Sequence, residues 1–400
     1  MDEGPYPEPD GTVPSMAPET LYERLKAGEP VHLLDVRNRD EVEAWRISGP
    51  SVQSVTVPYI EFVQAEIHDT VAERFAETGL DDPIVAVCGR GEASAYVAEL
   101  LRGEGIEAVN LADGMTGWAT VYTATELSTP GSATVYQYYR PSSGCLAYMI
   151  VAGEEAAVID PLRAFTDRYA DDAAAAGATL QYVIDTHVHA DHVSGLRATA
   201  EQTGATPYMS RTAIERGVQF NVEPLADGEV LHIGGATVRA RYAPGHTSGM
   251  MAIEIDESVL LTGDSLFLES VARPDLEHDD AGTEALATQL YETLHERLLT
   301  YTPKTIVAPG HTSEAAEPAA DGSYTATLER LRERLPVLAM DRDTFVEYIQ
   351  SDMPPRPANF EEIIAINLGQ QAASEEQAFE LELGPNNCAA TAVPTEKRGD

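Results

Sequence analysis

The stretch Thr186-His187-Val188-His189-Ala190-Asp191-His192 constrains this chain more than any other. Before it runs Leu180-Gln181-Tyr182-Val183-Ile184-Asp185, an apolar, β-branched segment that reads as a buried strand. After it, Val193 to Glu201 reads as a helix ending near Gly204. Three histidines and one aspartate therefore sit on a tight strand-to-helix loop, and His187 and His189 project the same way from an extended backbone. Neutral imidazole and carboxylate are what a divalent transition metal takes. Five of the ten histidines fall in three short segments, the other two being Ala243-Pro244-Gly245-His246-Thr247 and Ala308-Pro309-Gly310-His311-Thr312. Between those two lies Leu261-Thr262-Gly263-Asp264. Each follows a strand-like run and places one ligand-type side chain where the strand stops.

Length and charge bound the rest. With 400 residues and 43% hydrophobic content, the chain can build two or three ordinary cores. No apolar run is long enough to span a bilayer, and Met1-Asp2-Glu3-Gly4-Pro5 lacks the features of a signal peptide, so a cytoplasmic protein is expected. Acidic residues number 66 and basic ones 26, a net charge of −40, and lysine occurs only at 26, 304 and 397. Such a surface repels nucleic acid and anionic membranes. Its self-repulsion is screened at molar salt, where the Debye length is about 3 Å, which points to adaptation to a high-salt cytoplasm. Cys88, Cys145 and Cys388 are too few and scattered for a disulfide framework and fit a reducing compartment.

In chain order, residues 1–17 read as a flexible acidic arm. Residues 18–125 alternate strand-like and helix-like runs, which argues for an α/β domain with a parallel sheet. Within it, Ile84 to Val87 delivers Cys88 into a loop, Cys88-Gly89-Arg90-Gly91-Glu92-Ala93-Ser94, that opens a helix. Backbone N–H donors and the helix dipole favour a thiolate there. A short linker, 126–131, leads to a second domain over 132–350, where Leu286, Leu290, Leu294 and Leu298 mark an amphipathic helix. Cys145 at a strand start reads as packing. His32, His68, His232, His278 and His295 show no ligand pattern. Residues 351–384 read as an extension packed on the second domain, and 385–400 as a disordered tail.

The series His-x-His-x-Asp-His, Gly-His, Gly-Asp, Gly-His resembles the metallo-β-lactamase superfamily over 132–350, which implies an αββα sandwich with a metal site at its edge. Leu34-Asp35-Val36-Arg37 with Glu41 and Trp45, the Cys88 loop, and Gly114-x-x-Gly117-Trp118 resemble a rhodanese domain. That resemblance implies that Cys88 accepts sulfane sulfur from a donor and carries it as a persulfide. Ala93 stands where the family loop often has arginine, and Arg90 offers a positive charge nearby.

Two enzyme groups of the superfamily share this ligand series. Glyoxalase II-type thioester hydrolases hold two metals, such as two zinc ions. His187, His189, His246 and Asp264 would hold the first, and Asp191, His192 and His311, with Asp264 bridging, the second. Persulfide dioxygenases hold one ferrous ion, which resemblance assigns to His187, His246 and Asp264, leaving His189, Asp191, His192 and His311 around it. Ala272-Arg273-Pro274-Asp275 stands where the dioxygenases carry Gly-Arg-Thr-Asp, and Arg273 is a plausible clamp for a substrate carboxylate. The rhodanese-like segment and the C-terminal ending also favour the dioxygenase. The expectation is therefore oxidation of a low-molecular-weight thiol persulfide, such as glutathione persulfide, with O2. Cys88, Arg273 and Asp191 are the catalytic candidates, and a homodimer is compatible with the family. A thioester hydrolase and a non-oxygenase sulfur-trafficking protein are the alternatives.

Overall fold

In a computed structural model of the chain, the described residues are 13–277, 280–313, 315–351 and 353–390. His278, the arm before residue 13 and the tail after 390 lie outside them. The chain divides into two compact units. One is built from the chain up to Val121 with short segments at 140–143 and 383–385, and the other from the remainder. No helix among the described residues is long and apolar enough to cross a membrane.

The first unit is a five-stranded, all-parallel sheet. Its spatial order is Ser15–Met16, Ala108–Leu111, Ile84–Val87, Val31–Asp35, Val52–Thr56. Val31, Leu33, Val85 and Val87 pack on one face with Trp118, while Leu34, Ile84 and Ala86 pack on the other with Phe62 and Val97. A strand covered on both faces has no polar side to show, which is why these runs read as continuously apolar. Ser15–Met16 is the edge strand, paired with Asn110 and Leu111, so the arm expected to end at residue 17 is already part of the sheet there.

The second unit is a sandwich of a seven-stranded and a six-stranded sheet. Thr123–Glu126 pairs with Thr134–Arg140 as the outermost pair of the larger sheet, so the sandwich begins earlier than the expected boundary at 132. Cys145–Ala152 shows how the layers form. Leu146, Tyr148 and Ile150 meet Val238, Ile253 and Leu261 of the other sheet, while Ala147, Met149 and Val151 meet Tyr169, Ala173 and Leu196 of the outer helices. Alternate side chains of one buried strand thus serve two cores. On the far side, Ala252, Leu260 and Val307 pack against Leu290, Leu294, Leu331 and Phe345. The architecture is αββα.

The leucine stripe is buried as expected, but its helix is not uniform: Asp280–Glu292 is α-helical and Thr293–Arg297 widens into a π-turn. A four-residue repeat drifts around a 3.6-residue helix, and the wider turn brings Leu298 back to the core.

Towards the C-terminus, Phe360–Asn367 and Glu375–Leu381 are helices, with Ile363, Ile366 and Ala378 packed on Val193. The expected disorder from 385 does not hold over 388–390: Cys388 and Ala390 are buried, and Ala389 bridges Ala272. Apolar side chains that find a core here outweigh the polar surroundings that suggested a tail.

Candidate metal centre and candidate sulfur carrier

Every ligand-type residue lies where a strand ends. Val259–Gly263 and Ile306–Pro309 run parallel, so Asp264 and His311 leave the smaller sheet at the same edge. Glu155–Ile159 and Thr179–Ile184 also run parallel, and they release Asp160 and the His187 loop side by side. Two glycines of the motif series are required for this approach. Gly263 has φ +46°, and a Cβ there would lie 2.0 Å from Met250 Cε. A Cβ on Gly310 would lie 2.6 Å from Asp264 Oδ1.

His187, His246 and Asp264 converge. His187 Nε2 and His246 Nε2 lie 3.7 and 3.6 Å from Asp264 Oδ2. All three side chains are at most 1% exposed, and these three atoms have no hydrogen-bond partner. Buried polar atoms are normally paired, so three unpaired ones facing one point mark a place for a shared ligand. Bonds of about 2.1 Å to a metal span such separations. Nitrogen and carboxylate oxygen suit a divalent transition metal, and the residues fit one.

The opposite ends of both imidazoles are fixed. His246 Nδ1 donates to the Arg273 carbonyl at 2.8 Å. His187 Nδ1 donates to Thr186 Oγ1 at 2.9 Å, and that hydroxyl donates to Asp160 Oδ2 at 2.9 Å. Both Nε2 lone pairs are thereby left for a metal. Burial lowers the pKa of both imidazoles, further helped at His187 by its neighbour His189. Burial pushes the Asp264 carboxyl up, but His311, His187 and His246 together hold it well below the usual carboxylate range. Neutral imidazoles and an ionised carboxylate are the ligating forms.

The remaining candidates form a second cluster with Cys145, in which Asp191 Oδ1 and His192 Nε2 are also buried without a partner. Asp191 Oδ2 accepts from His311 Nε2 at 2.8 Å, His192 Nδ1 at 3.1 Å and Cys145 Sγ at 3.2 Å. His311 Nδ1 donates to Asp264 Oδ1 at 2.6 Å. Burial opposes charge on His311 and His192, yet the adjacent carboxylates raise both imidazoles well above their ordinary value. His189 Nε2 lies 3.2 Å from Asp160 Oδ1, and the residue groups with Asp160 and Asp185, while its Nδ1 is buried without a partner and its ring centre lies 4.2 Å from that of His187.

Arg273 departs from its expected role as a substrate clamp. It is 1% exposed. Its Nε and Nη2 donate to the two Asp275 oxygens at 2.7 and 2.9 Å, and Nη1 donates to the carbonyls of Pro355 and Asn387. The guanidinium is spent on the chain itself, binding the C-terminal extension, while its backbone carbonyl orients His246.

Several contributors escaped sequence reasoning. Asp160 holds the Thr186 amide at 2.7 Å, the Thr186 hydroxyl and His189. Its only sequence signal is an acid at the end of a strand adjoining the motif strand. Asn367 Nδ2 binds the carbonyls of His189 and His192, both at 2.9 Å. Cys145, read as packing, touches Asp191, and Cys388 groups with Asp264 and His311.

In the first unit, Cys88 follows Ile84–Val87 and precedes the helix Glu92–Gly103. Its Sγ accepts from Gly91 N at 3.0 Å and Ser94 Oγ at 3.2 Å. That hydroxyl has a single proton, shared between Sγ and Asn110 Oδ1, which lies 2.7 Å away. Gly114 is needed for the loop to close: a Cβ there would lie 2.2 Å from the Cys88 carbonyl. The amides of Met115 and Thr116 then bind the carbonyls of Cys88 and Gly89. Asp35 and Arg37 form a buried bidentate pair, and Arg37 Nη2 also donates to the Trp45 carbonyl. Arg90 is exposed.

Two family patterns match the chain: the metallo-beta-lactamase superfamily over residues 140–336 and the rhodanese-like domain over 17–120. The chain belongs to the metallo-β-lactamase superfamily and carries a rhodanese-like domain ahead of that fold. Within the superfamily it is similar to persulfide dioxygenase ETHE1 of Homo sapiens, with 28% identity over 58% of this chain and 86% of the relative. It is also similar to hydroxyacylglutathione hydrolase of Rhodobacter capsulatus, with 32% identity over 55% of this chain and 79% of the relative. The crystal structure of ETHE1 from Myxococcus xanthus superposes with a TM-score of 0.51 at 27% identity, covering 59% of this chain and 98% of that one.

Proposed function

We propose that this chain is an iron-dependent persulfide dioxygenase coupled to a rhodanese-type sulfurtransferase. One persulfide, one O2 and one water give one thiol, sulfite and two protons. The observation that supports this reading over a dinuclear hydrolase is His311. Its Nδ1 is held by Asp264 Oδ1 and its Nε2 by Asp191 Oδ2, so neither nitrogen is left for a second metal, whereas His187 Nε2, His246 Nε2 and Asp264 Oδ2 are all unpaired; Asp191 Oδ1 and His192 Nε2 also remain unpaired.

A ferrous ion held by His187, His246 and Asp264 would supply the redox chemistry that joins oxygen to the terminal sulfur, with coordination positions left over for substrate. The chain's own work is positional. Thr186, backed by Asp160, and the Arg273 carbonyl fix the imidazole tautomers. His311 occupies the second oxygen of Asp264 and leaves Oδ2 as the one that faces the imidazoles. Asp191 acts through His311, which it holds by Nε2. At Cys88, the Gly91 amide and Ser94 hydroxyl are placed to stabilise a thiolate that takes sulfane sulfur from a donor.

The test is metal content and oxygen consumption. Protein purified anaerobically without added metal should carry one iron per chain and consume O2 when glutathione persulfide is supplied. Two zinc ions per chain with cleavage of a glutathione thioester, and no O2 uptake, would overturn the reading in favour of the hydrolase.

A further inference from the structure

Cys88, Ser94 and Asn110 converge on one face of the parallel sheet. Asn110 lies opposite Ala86 where Ala108–Leu111 pairs with Ile84–Val87. Side chains alternate along extended chain, so Cys88, two positions after Ala86, turns to the same side. The helix Glu92–Gly103 brings Ser94 against both. All three residues are at most 7% exposed.

Ser94 Oγ has one proton and three acceptors in reach: Asn110 Oδ1 at 2.7 Å, Cys88 Sγ at 3.2 Å and the Gly91 carbonyl at 3.2 Å. While the proton goes to Oδ1, the sulfur is left with the Gly91 amide, 3.0 Å away. A half-turn of the Asn110 side-chain amide puts Nδ2 where Oδ1 stands. Asn110 then donates to Ser94, and Ser94 donates to Sγ. The contact with Ser94 is the only hydrogen bond this side-chain amide makes among the described residues, so the turn breaks no other. Hydrogen bonds to an ionised acceptor are roughly twice as strong as neutral ones, so a thiolate draws the Ser94 proton and a thiol does not. Other titratable groups stand on the elements around Cys88. Arg90 and Glu92 on its own loop and Asp113 on the loop that closes over it are exposed. Asp35 and Arg37 at the end of the adjoining strand pair with each other, and Tyr96, beside Tyr59, is bonded to Glu66.

We propose that Asn110 is a positioning residue for Cys88 that acts through Ser94. Turned one way, its amide withholds the hydroxyl proton from the sulfur; turned the other way, it supports the donation of that proton to the thiolate. The proposal rests on the sulfurtransferase reading of Cys88 given above. In that reading the thiolate forms a bond to the sulfane sulfur, the donor's own bond to that sulfur breaks, and its electron pair leaves with the donor. The negative charge then sits on the terminal sulfur. Sγ, now neutral, no longer draws the Ser94 proton, which returns to Asn110. The orientation of one buried amide thus follows the charge on Sγ through the transfer.

The test is the pKa of the Cys88 thiol in the full chain. Iodoacetamide alkylation followed as a function of pH, and read on the Cys88 peptide by mass spectrometry, reports this thiol alone and needs no sulfur donor. Asn110→Leu and Ser94→Ala should each raise the pKa by about one unit. Asn110→Asp, of the same shape but able only to accept, should raise it further. In the Ser94→Ala background, Asn110→Leu should add nothing. A pKa unmoved or lowered by Asn110→Leu would overturn the proposal, and so would an equal rise with the Ser94 hydroxyl absent. Should the leucine variant not fold, an unmoved thiol in Asn110→Asp overturns it equally. A thiol that shifts as expected but takes no sulfur from thiosulfate or glutathione persulfide would instead sink the sulfurtransferase reading and leave the link from Asn110 to Cys88 standing.

Discussion

His311 Nδ1 lies 2.6 Å from Asp264 Oδ1, and its Nε2 lies 2.8 Å from Asp191 Oδ2. One imidazole thus joins two carboxylates, and both of its nitrogens are committed to donating. In this arrangement Asp264 has a single oxygen left over, and that oxygen faces His187 and His246. His311→Asn should keep the bond to one carboxylate and lose the other. The expected outcome is retained iron with a drop in oxygen uptake; loss of a whole second equivalent of metal would instead mark His311 as a ligand.

The two proposed activities should separate by mutation. His246→Ala removes one of the three converging atoms and should abolish both iron binding and O2 consumption. Cys88→Ser should remove sulfur transfer while O2 consumption with supplied persulfide persists. Metal analysis, an oxygen electrode and a thiosulfate sulfurtransferase assay read all three quantities.

Thr186 is expected to act on metal affinity without touching the metal. Thr186→Val keeps the shape but removes the hydroxyl that joins His187 to Asp160. Affinity for iron should fall about 10–100-fold, measured by competition with a chelator, while the fold is kept.

Arg273 should matter for stability. It is bidentate with Asp275 and almost fully buried, so Arg273→Met leaves the Asp275 carboxylate with Arg356, 3.2 Å away, as its remaining cation. The loss should be about 1–3 kcal/mol in denaturant unfolding. A substrate clamp would instead raise KM for the persulfide and leave unfolding unchanged.

The net charge of −40 predicts salt dependence. Raising KCl from about 0.1 M to about 3 M shortens the Debye length from about 10 Å to below about 3 Å. The melting temperature should rise over that range. A midpoint that does not move would reject adaptation to high salt.

Sequence alone determined the strands, the ends at which they stop and the ligand types placed there. Those features are local: apolar periodicity, glycines where the backbone must approach closely, and imidazole or carboxylate at fixed offsets. Hence the ligand-type residues and the Cys88 loop were legible from their own neighbourhoods, while the choice of His187, His246 and Asp264 among them, and the role of Cys88, came from the family resemblance. Tertiary structure decided which donors meet. Asp160 is separated from Thr186 by 26 positions, and only parallel pairing of their strands brings the two together. Arg273 shows the same limit in reverse. Its sequence context allows a substrate clamp, but Asp275, Pro355 and Asn387 take four of its five donors once the C-terminal extension folds back. A side chain's chemistry is written in its residue type, whereas its partners depend on contacts between segments distant in the chain.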